Sequence, residues 1–488
     1  MPQRRFFILH LFFSLSFGIL AGRLFWWQWV KADDLAARAC RQRLAVLAVL
    51  GRPRGEFIDR HGRPITDRMM GTRYGPRPLA VHLIGYVNPG DGRGAAGLEE
   101  IYDDLLCRGP GRVMAAVVDA RREPLRGLGR RLLRLPLTET AAVRLTIDRQ
   151  LQEKVEAIAD RRLQKGAIVV LAAHTGEILA MTSRPCFDPE HPGDYLNRKD
   201  APFLNRALTA YPPGSLFKLT VLAAALEERP AAFWDLYEDE GTVAVGASLF
   251  RCPEGSHGLI TLADALAFSC NTTFIHLGLG LGAERLLRMA ERLGCGVPAT
   301  ADLAGEDPGD LPAAGNVPPA ELANLSIGQG RLRISPLQMA RLVAAVANGG
   351  YLPTLRTVLG LEDGRGRLKA FPFPPPRRVL REETTRYIRA MMAGVVRYGT
   401  GRAAALPCGV AGKTGTAQTG RRDRDGRSLT HAWFAGFAPV KDPHYVAVVF
   451  LEDGGAGGTA AAPVFREVMA ATVALDPLGT GTATVDGT

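Results

Sequence analysis

Three short strings, Ser215-Leu-Phe-Lys218, Ser269-Cys-Asn271 and Lys413-Thr414-Gly415-Thr416, stand in that order and far apart along the chain. If they serve one site, a single large domain has to gather them, and a chain of 488 residues with 47% hydrophobic content can bury a core of that size. Each string alone is weak, since a Ser three residues before a Lys arises by chance about once per few hundred residues. Lysine usage adds weight. Of 60 basic residues only eight are Lys, so this chain uses Arg wherever a charge suffices. Lys218 and Lys413 fall inside the strings, where an amine that can lose its proton is useful and a guanidinium is not.

Tyr211-Pro-Pro-Gly214 breaks helical structure, and SLFKLTVLAAALEE permits it, so Ser215 is expected at a helix N-terminus. At i, i+3 spacing Ser215 and Lys218 share a face, which suits a hydroxyl nucleophile beside an amine base. The helix is apolar nearly all round, and burial together with a second nearby cation favours a neutral Lys218. Ser269 can relay a proton to a leaving amine and Asn271 can bind a substrate amide; alone, a Ser-x-Asn reads as a helix cap. Lys413 to Thr416, with Gly415 between the threonines, lie in a Gly-rich, β-prone run that suits an edge strand close to a ligand. Lys413 with Thr414 or Thr416 can hold a carboxylate, and the N–H groups of Ser215 and Thr416 can form an oxyanion hole. Read as a phosphate loop, the Gly-Lys-Thr fails for want of upstream glycines and a following helix.

Residues 6–30 are long and apolar enough for a membrane span. Arg4 and Arg5 in front of them predict a cytoplasmic N-terminus, with Trp26, Trp27 and Trp29 at the far interface and the rest of the chain outside. A cleaved signal peptide is the competing reading, and no small-x-small cleavage site follows the apolar core. The pattern over 31–50 predicts a helix continuing out of the membrane, and 31–140 reads as a short stalk module. Glycines 90, 92, 94 and 97 read as a loop leading into a helix. From 141 to 475 a strand, a helix capped by Asp148, a hairpin around His174-Thr-Gly176 and a strand pair over 431–453 predict a mixed, mostly antiparallel sheet closed by its own ends. The tail 476–488 reads as disordered. Seven cysteines show neither pairwise nor metal-ligand spacing, so no disulfide framework or zinc site is predicted; Cys252 and Cys270 are the pair closest to one. The net charge of +11, with six Arg in 121–134, suits an anionic surrounding such as lipid headgroups or wall polymers.

The three strings are the set assigned to penicillin-binding proteins and serine β-lactamases. With RGEFIDRHG (54–62), GLEEIYD (97–103), NRALTAYPPGSLFK (205–218), SCNTTF (269–274), LSIGQG (325–330) and AGKTGTAQ (411–418), the chain resembles class B penicillin-binding proteins over nearly its whole length. The resemblance implies an α/β (α+β) transpeptidase fold: a central, mostly antiparallel sheet flanked by helices, an all-helical subdomain, an N-terminal anchor and a small stalk. It implies that Ser215 is acylated by D-Ala-D-Ala stem peptides and passes the acyl group to a neighbouring amine, that β-lactams inhibit, that no metal or cofactor is used, and that a multi-pass SEDS polymerase is the partner. Only 13 residues separate ITDR (65–68) from HLIGYV (82–87), where relatives carry a larger head, and 31–140 lacks the acidic motifs of a glycosyltransferase. A β-lactamase or carboxypeptidase would use the same strings with water as acceptor; ELANL (321–325) has the wrong residue order for the β-lactamase deacylation loop. A non-catalytic β-lactam sensor or scaffold is the remaining alternative.

Overall fold

The computed structural model describes residues 2–33, 35, 44–49, 54–66, 72–107, 112–117, 130–134, 142–229, 233–363 and 365–476. Contacts divide the chain into two units, 1–54 with 107–140, and 55–106 with 141–488. The first unit holds helix α1 (Pro2–Phe25), which runs on through a π-helical turn, Trp26–Val30. Its apolar stretch Phe6–Val30 has a mean hydropathy of 1.7 and is the one helix, among the described residues, long and apolar enough to cross a membrane. The helix expected to continue to residue 50 does not. Leu44–Val49 is a strand, paired antiparallel with Arg112–Val117, which pairs in turn with Arg130–Arg134. A six-residue run with two valines gains a full ladder from such a partner, and that overrides the helical pattern. Of the Arg-rich run only 130–134 lie within the described residues, and the tail beyond Asp476 lies outside them.

The stretch expected as one stalk is shared between the units, since 55–106 belongs to the larger one. The ties are specific. Phe57–Ile58 pairs in parallel with Ala142–Leu145. Asp59 accepts backbone N–H bonds from His61, Arg63 and Arg149, and Arg60 reaches Glu177, which also binds Arg356 at 2.6 Å. Both arginines are thereby paired to one buried carboxylate, which would be costly to leave without them.

The larger unit is built on a five-stranded sheet. In chain order its strands are β1 (Gly166–Ala172), β2 (Ile178–Arg184), β3 (Ala411–Arg422), β4 (Ser428–Ala438) and β5 (Tyr445–Leu451), and their spatial order is β3-β4-β5-β1-β2. Every pairing is antiparallel, so this sheet is not mixed, and the closure by its own ends is the β5–β1 ladder. The β1 and β5 strands are continuous apolar runs because both faces are covered. Ile168, Val170, Phe434 and Val449 face Val155 of helix α2 (Arg149–Arg162) and Phe465 of the C-terminal helix, whereas Val169, Trp433, Val448 and Phe450 face the central helices, among them Pro336–Ala347. Asp148 caps α2 by accepting from the Leu151 N–H.

Arg206 is 2% exposed, and its Nε donates to Glu452 at 2.6 Å just beyond β5, while its NH1 and NH2 bind the carbonyls of Ala201 and Asp200. Arg206→Met strands the carboxylate and is expected to cost about 3–5 kcal/mol in chemical denaturation. A loss below about 1 kcal/mol would contradict this account of the segment.

Candidate active site

Ser215 sits in a single 3-10 turn, Gly214–Phe217, that leads directly into helix α3 (Lys218–Glu228). The turn in front of it is fixed by backbone and aromatic bonds. Tyr211 and Ile334 exchange both N–H bonds, the Gly214 N–H donates to Gly328 O at 3.0 Å, and Trp433 Nε1 donates to Pro212 O at 3.1 Å. Gly214 has φ +56°, and a Cβ there would come within 2.6 Å of Thr416 O. Only glycine lets the turn lie that close to β3.

Ser269 ends the short helix Leu262–Ala267 in a Schellman arrangement: its N–H bonds Leu266 O and that of Cys270 bonds Ala265 O. The left-handed position usually taken by glycine is held here by Ser269 at φ +58°. That conformation costs a residue with a side chain of the order of 1 kcal/mol, a conflict between local preference and a needed hydroxyl. Cys270 then caps helix α4 (Asn271–Leu281).

The three strings converge. Lys218 Nζ lies 2.6 Å from Ser269 O, 3.3 Å from Ser269 Oγ and 2.8 Å from Asn271 Oδ1. Lys413 Nζ lies 2.9 Å from the same Ser269 Oγ and 3.0 Å from Thr414 O. Both amines are 0% exposed. Ser215, Ser269, Asn271, Thr414 and Thr416 line a cleft of about 1050 Å³, whereas Lys218, Lys413 and Gly415 lie behind its wall. Lys413 is thus held on Ser269, and the groups facing the cleft beside it are the two threonines. Asn271 is tied on both sides, its Nδ2 donating to Arg251 O at 2.8 Å. The β3 strand is the edge of the sheet, as expected, so its free side borders the cleft. Sequence reasoning missed Thr400, whose hydroxyl is 2.8 Å from that of Thr414, and Gly457, whose N–H bonds Thr416 Oγ1 at 3.1 Å. Neither carries a local signal, because Thr400 comes from the turn after another helix and Gly457 from the start of a π-helical turn, Gly457–Ala461, both outside the three strings.

Burial lowers the Lys218 pKa from 10.5 to about 7, against the opposing pull of Cys270, Cys252 and Asp239. Burial also pushes Lys413 well down, and the second cation acts there, with Lys218 disfavouring a charge on Lys413. A neutral amine beside the Ser269 hydroxyl can take a proton from it and return one to it. Above pH 7 an unfolded lysine stays protonated while folded Lys218 does not, so the unfolded state binds more protons and stability rises with pH. The melting temperature is expected to increase from pH 7 to pH 9, and Lys218→Met should flatten that rise; an identical slope in the variant would refute the depressed pKa.

The family described as penicillin binding protein transpeptidase domain matches residues 166–470. Stage V sporulation protein D of Bacillus subtilis is 35% identical over 415 residues, covering 80% of this chain and 61% of that protein. The peptidoglycan D,D-transpeptidase PbpA of Mycolicibacterium smegmatis is 32% identical over 334 residues, covering 63% of this chain and 67% of the relative. The chain therefore spans 61% of the length of the first of these relatives and 67% of the second. A chain from a structure titled structural coordination of polymerization and crosslinking by a peptidoglycan synthase complex superposes with a TM-score of 0.70 at 28% identity, covering 96% of this chain and 98% of that one.

Proposed function

The chain belongs to the class B penicillin-binding transpeptidases, and on that premise we propose that it is a peptidoglycan D,D-transpeptidase working through a Ser215 acyl-enzyme. The observation that carries the reading is the geometry around Lys218, one turn after Ser215 and buried behind the cleft, whose amine is bonded to Ser269 and Asn271 on the cleft wall and whose pKa burial lowers to about 7. Lys218 takes the Ser215 proton as Oγ attacks the D-Ala-D-Ala carbonyl. The N–H groups of Ser215 and Thr416 receive the oxyanion. Ser269, between Lys218 and Lys413, passes a proton to the departing D-Ala amine, and the same relay runs in reverse when a neighbouring stem peptide's amine attacks the ester. Asn271 orients the peptide, and the Thr414 and Thr416 hydroxyls hold its carboxylate, with Lys413 keeping the strand and Ser269 in register.

The apolar helix supports a single-pass anchor, with the basic N-terminus in the cytoplasm and the catalytic unit on the outer side. A SEDS-type polymerase fits as the partner supplying glycan strands, in keeping with the likeness to a chain of a peptidoglycan synthase complex.

Intact mass of the detergent-solubilised chain mixed with a penicillin is expected to show a persistent one-drug adduct that Ser215→Ala abolishes. An adduct that hydrolyses within seconds while free drug disappears would move the protein to the β-lactamases. The acylation rate should climb with pH up to about 7 and level off above it, since only the neutral amine accepts the proton. Lys218→Ala should slow acylation by about 10²–10⁴-fold. A rate independent of pH between 5.5 and 8 would remove Lys218 as the base.

A further inference from the structure

The two hydroxyls that hold the substrate carboxylate can bind an anion only if their own protons face the cleft. A threonine hydroxyl has a single proton, which is free for a ligand when another group donates to its oxygen. Thr416 meets that condition, because the Gly457 N–H, which can only donate, reaches its Oγ1 at 3.1 Å. Among the described residues no peptide N–H does the same for Thr414. Lys413 Nζ stands 3.4 Å from Thr414 Oγ1 and makes its shorter bonds, of 2.9 and 3.0 Å, to Ser269 Oγ and Thr414 O. The close neighbour is the Thr400 hydroxyl at 2.8 Å. We propose that Thr400 is a positioning residue: its hydroxyl donates to Thr414 Oγ1 and so turns the Thr414 proton toward the carboxylate of the substrate or of a penicillin. The inference rests on the acyl-transfer reading of Ser215 and adds to it a residue outside the three strings.

The surroundings favour that direction. The other acceptor within reach of the Thr400 hydroxyl is Ala267 O, 3.3 Å away, and it already receives the Thr400 N–H at 3.0 Å. The shorter contact to Thr414 is left for the hydroxyl proton. Were the bond to run the other way, the Thr414 proton would be spent on Thr400, and oxygen lone pairs would face an incoming anion. A carboxylate in the cleft therefore selects the direction from Thr400 to Thr414, and each bond in the chain polarises the next. The turn that carries Thr400 has no freedom to drift. A methyl group on Gly399 would fall 2.2 Å from Ala267 O, and one on Gly458 would fall 2.6 Å from Thr400 O. Tyr398 Oη donates to Asp264 Oδ1 at 3.1 Å, and the Gly401 N–H donates to Val395 O at 2.9 Å. Thr400 itself borders the cleft beside Thr414 and Thr416. Main-chain packing thus fixes the orienting hydroxyl as firmly as it fixes the Gly457 N–H.

The test follows penicillin acylation of the detergent-solubilised full chain by intact mass over a range of drug concentrations. That separates the dissociation constant of the first complex, Ks, from the acylation rate constant, k2. Thr400→Val keeps the shape and removes the donor. It is expected to raise Ks by about tenfold or more, the scale of one hydrogen bond to a charged group, and to leave k2 within about twofold. Thr400→Ser, which keeps the hydroxyl, should stay within about twofold of the wild-type Ks. Thr400→Ala should reproduce the rise, and it serves in place of the valine variant should that one fail to fold by circular dichroism. Wild-type Ks in the valine or alanine variant overturns the proposal. So does a fall in k2 at unchanged Ks, which would make the turn a support for Ser269 instead, or a serine variant as weak as the valine one. A wild-type chain that takes up no penicillin overturns the Ser215 reading and this inference with it, whereas the other failures leave that reading standing.

Discussion

Exclusion of water from two primary amines is the constraint around which the larger unit is arranged. A lysine in solvent is a cation and a poor base, and the reaction proposed for Ser215 needs a base near neutrality. The fold achieves this by packing. The α3 helix that carries Lys218 is buried from Lys218 to Leu226, the Phe274 ring lies 5.4 Å from the amine, and Lys413 enters from a strand whose partner β4 contributes the buried Trp433 and Phe434. The polar atoms near the amines are those that a neutral or singly charged pair can share: Ser269, Asn271 and Thr414. Two aliphatic amines are thereby kept basic enough to take a proton and neutral enough to tolerate burial beside each other.

Much of this was legible because it is local. The Pro-Pro-Gly break before Ser215, the apolar run behind it, the Asp148 cap, the hairpin around Gly176 and the Gly-rich edge strand all obey short-range rules, and the structure follows them. The order of the three strings carried the rest. What escaped is non-local. That Lys413 rests on Ser269 depends on the register of β3 against a helix terminus from another part of the chain. The left-handed backbone at Ser269 contradicts the preference of its own residue type and holds only because surrounding contacts overdetermine it. The strand at 44–49 reads as helix until its partner at 112–117 is known. Thr400 comes to Thr414 through tertiary packing, for which no periodicity exists to be read.

The segment resembling RGEFIDRHG has a role in the structure apart from any stalk. Its Asp59 gathers three backbone N–H groups and its Arg60 joins Glu177 and Arg356, a network spanning three regions of the chain. Buried ion pairs of this kind add little net stability over apolar packing, but they penalise any arrangement that separates them. They therefore specify how residues 55–66 seat on the catalytic unit more than they strengthen it.

The seam beside Ser215 bears on how such a site can change over generations. Gly214, Gly328 and Thr416 meet through main chain: a methyl group on Gly328 would fall 1.8 Å from Gly214 O, and one on Gly214 would fall 2.6 Å from Thr416 O. A wall built from peptide groups offers mutation no side chain to exchange, so single-codon routes to a remodelled nucleophile turn are closed there. Adaptive variation, including escape from an inhibitor that mimics the substrate, has to enter where side chains line the cleft, as those of Phe250, Arg251, Asn324, Ile327, Arg402 and Thr459 do.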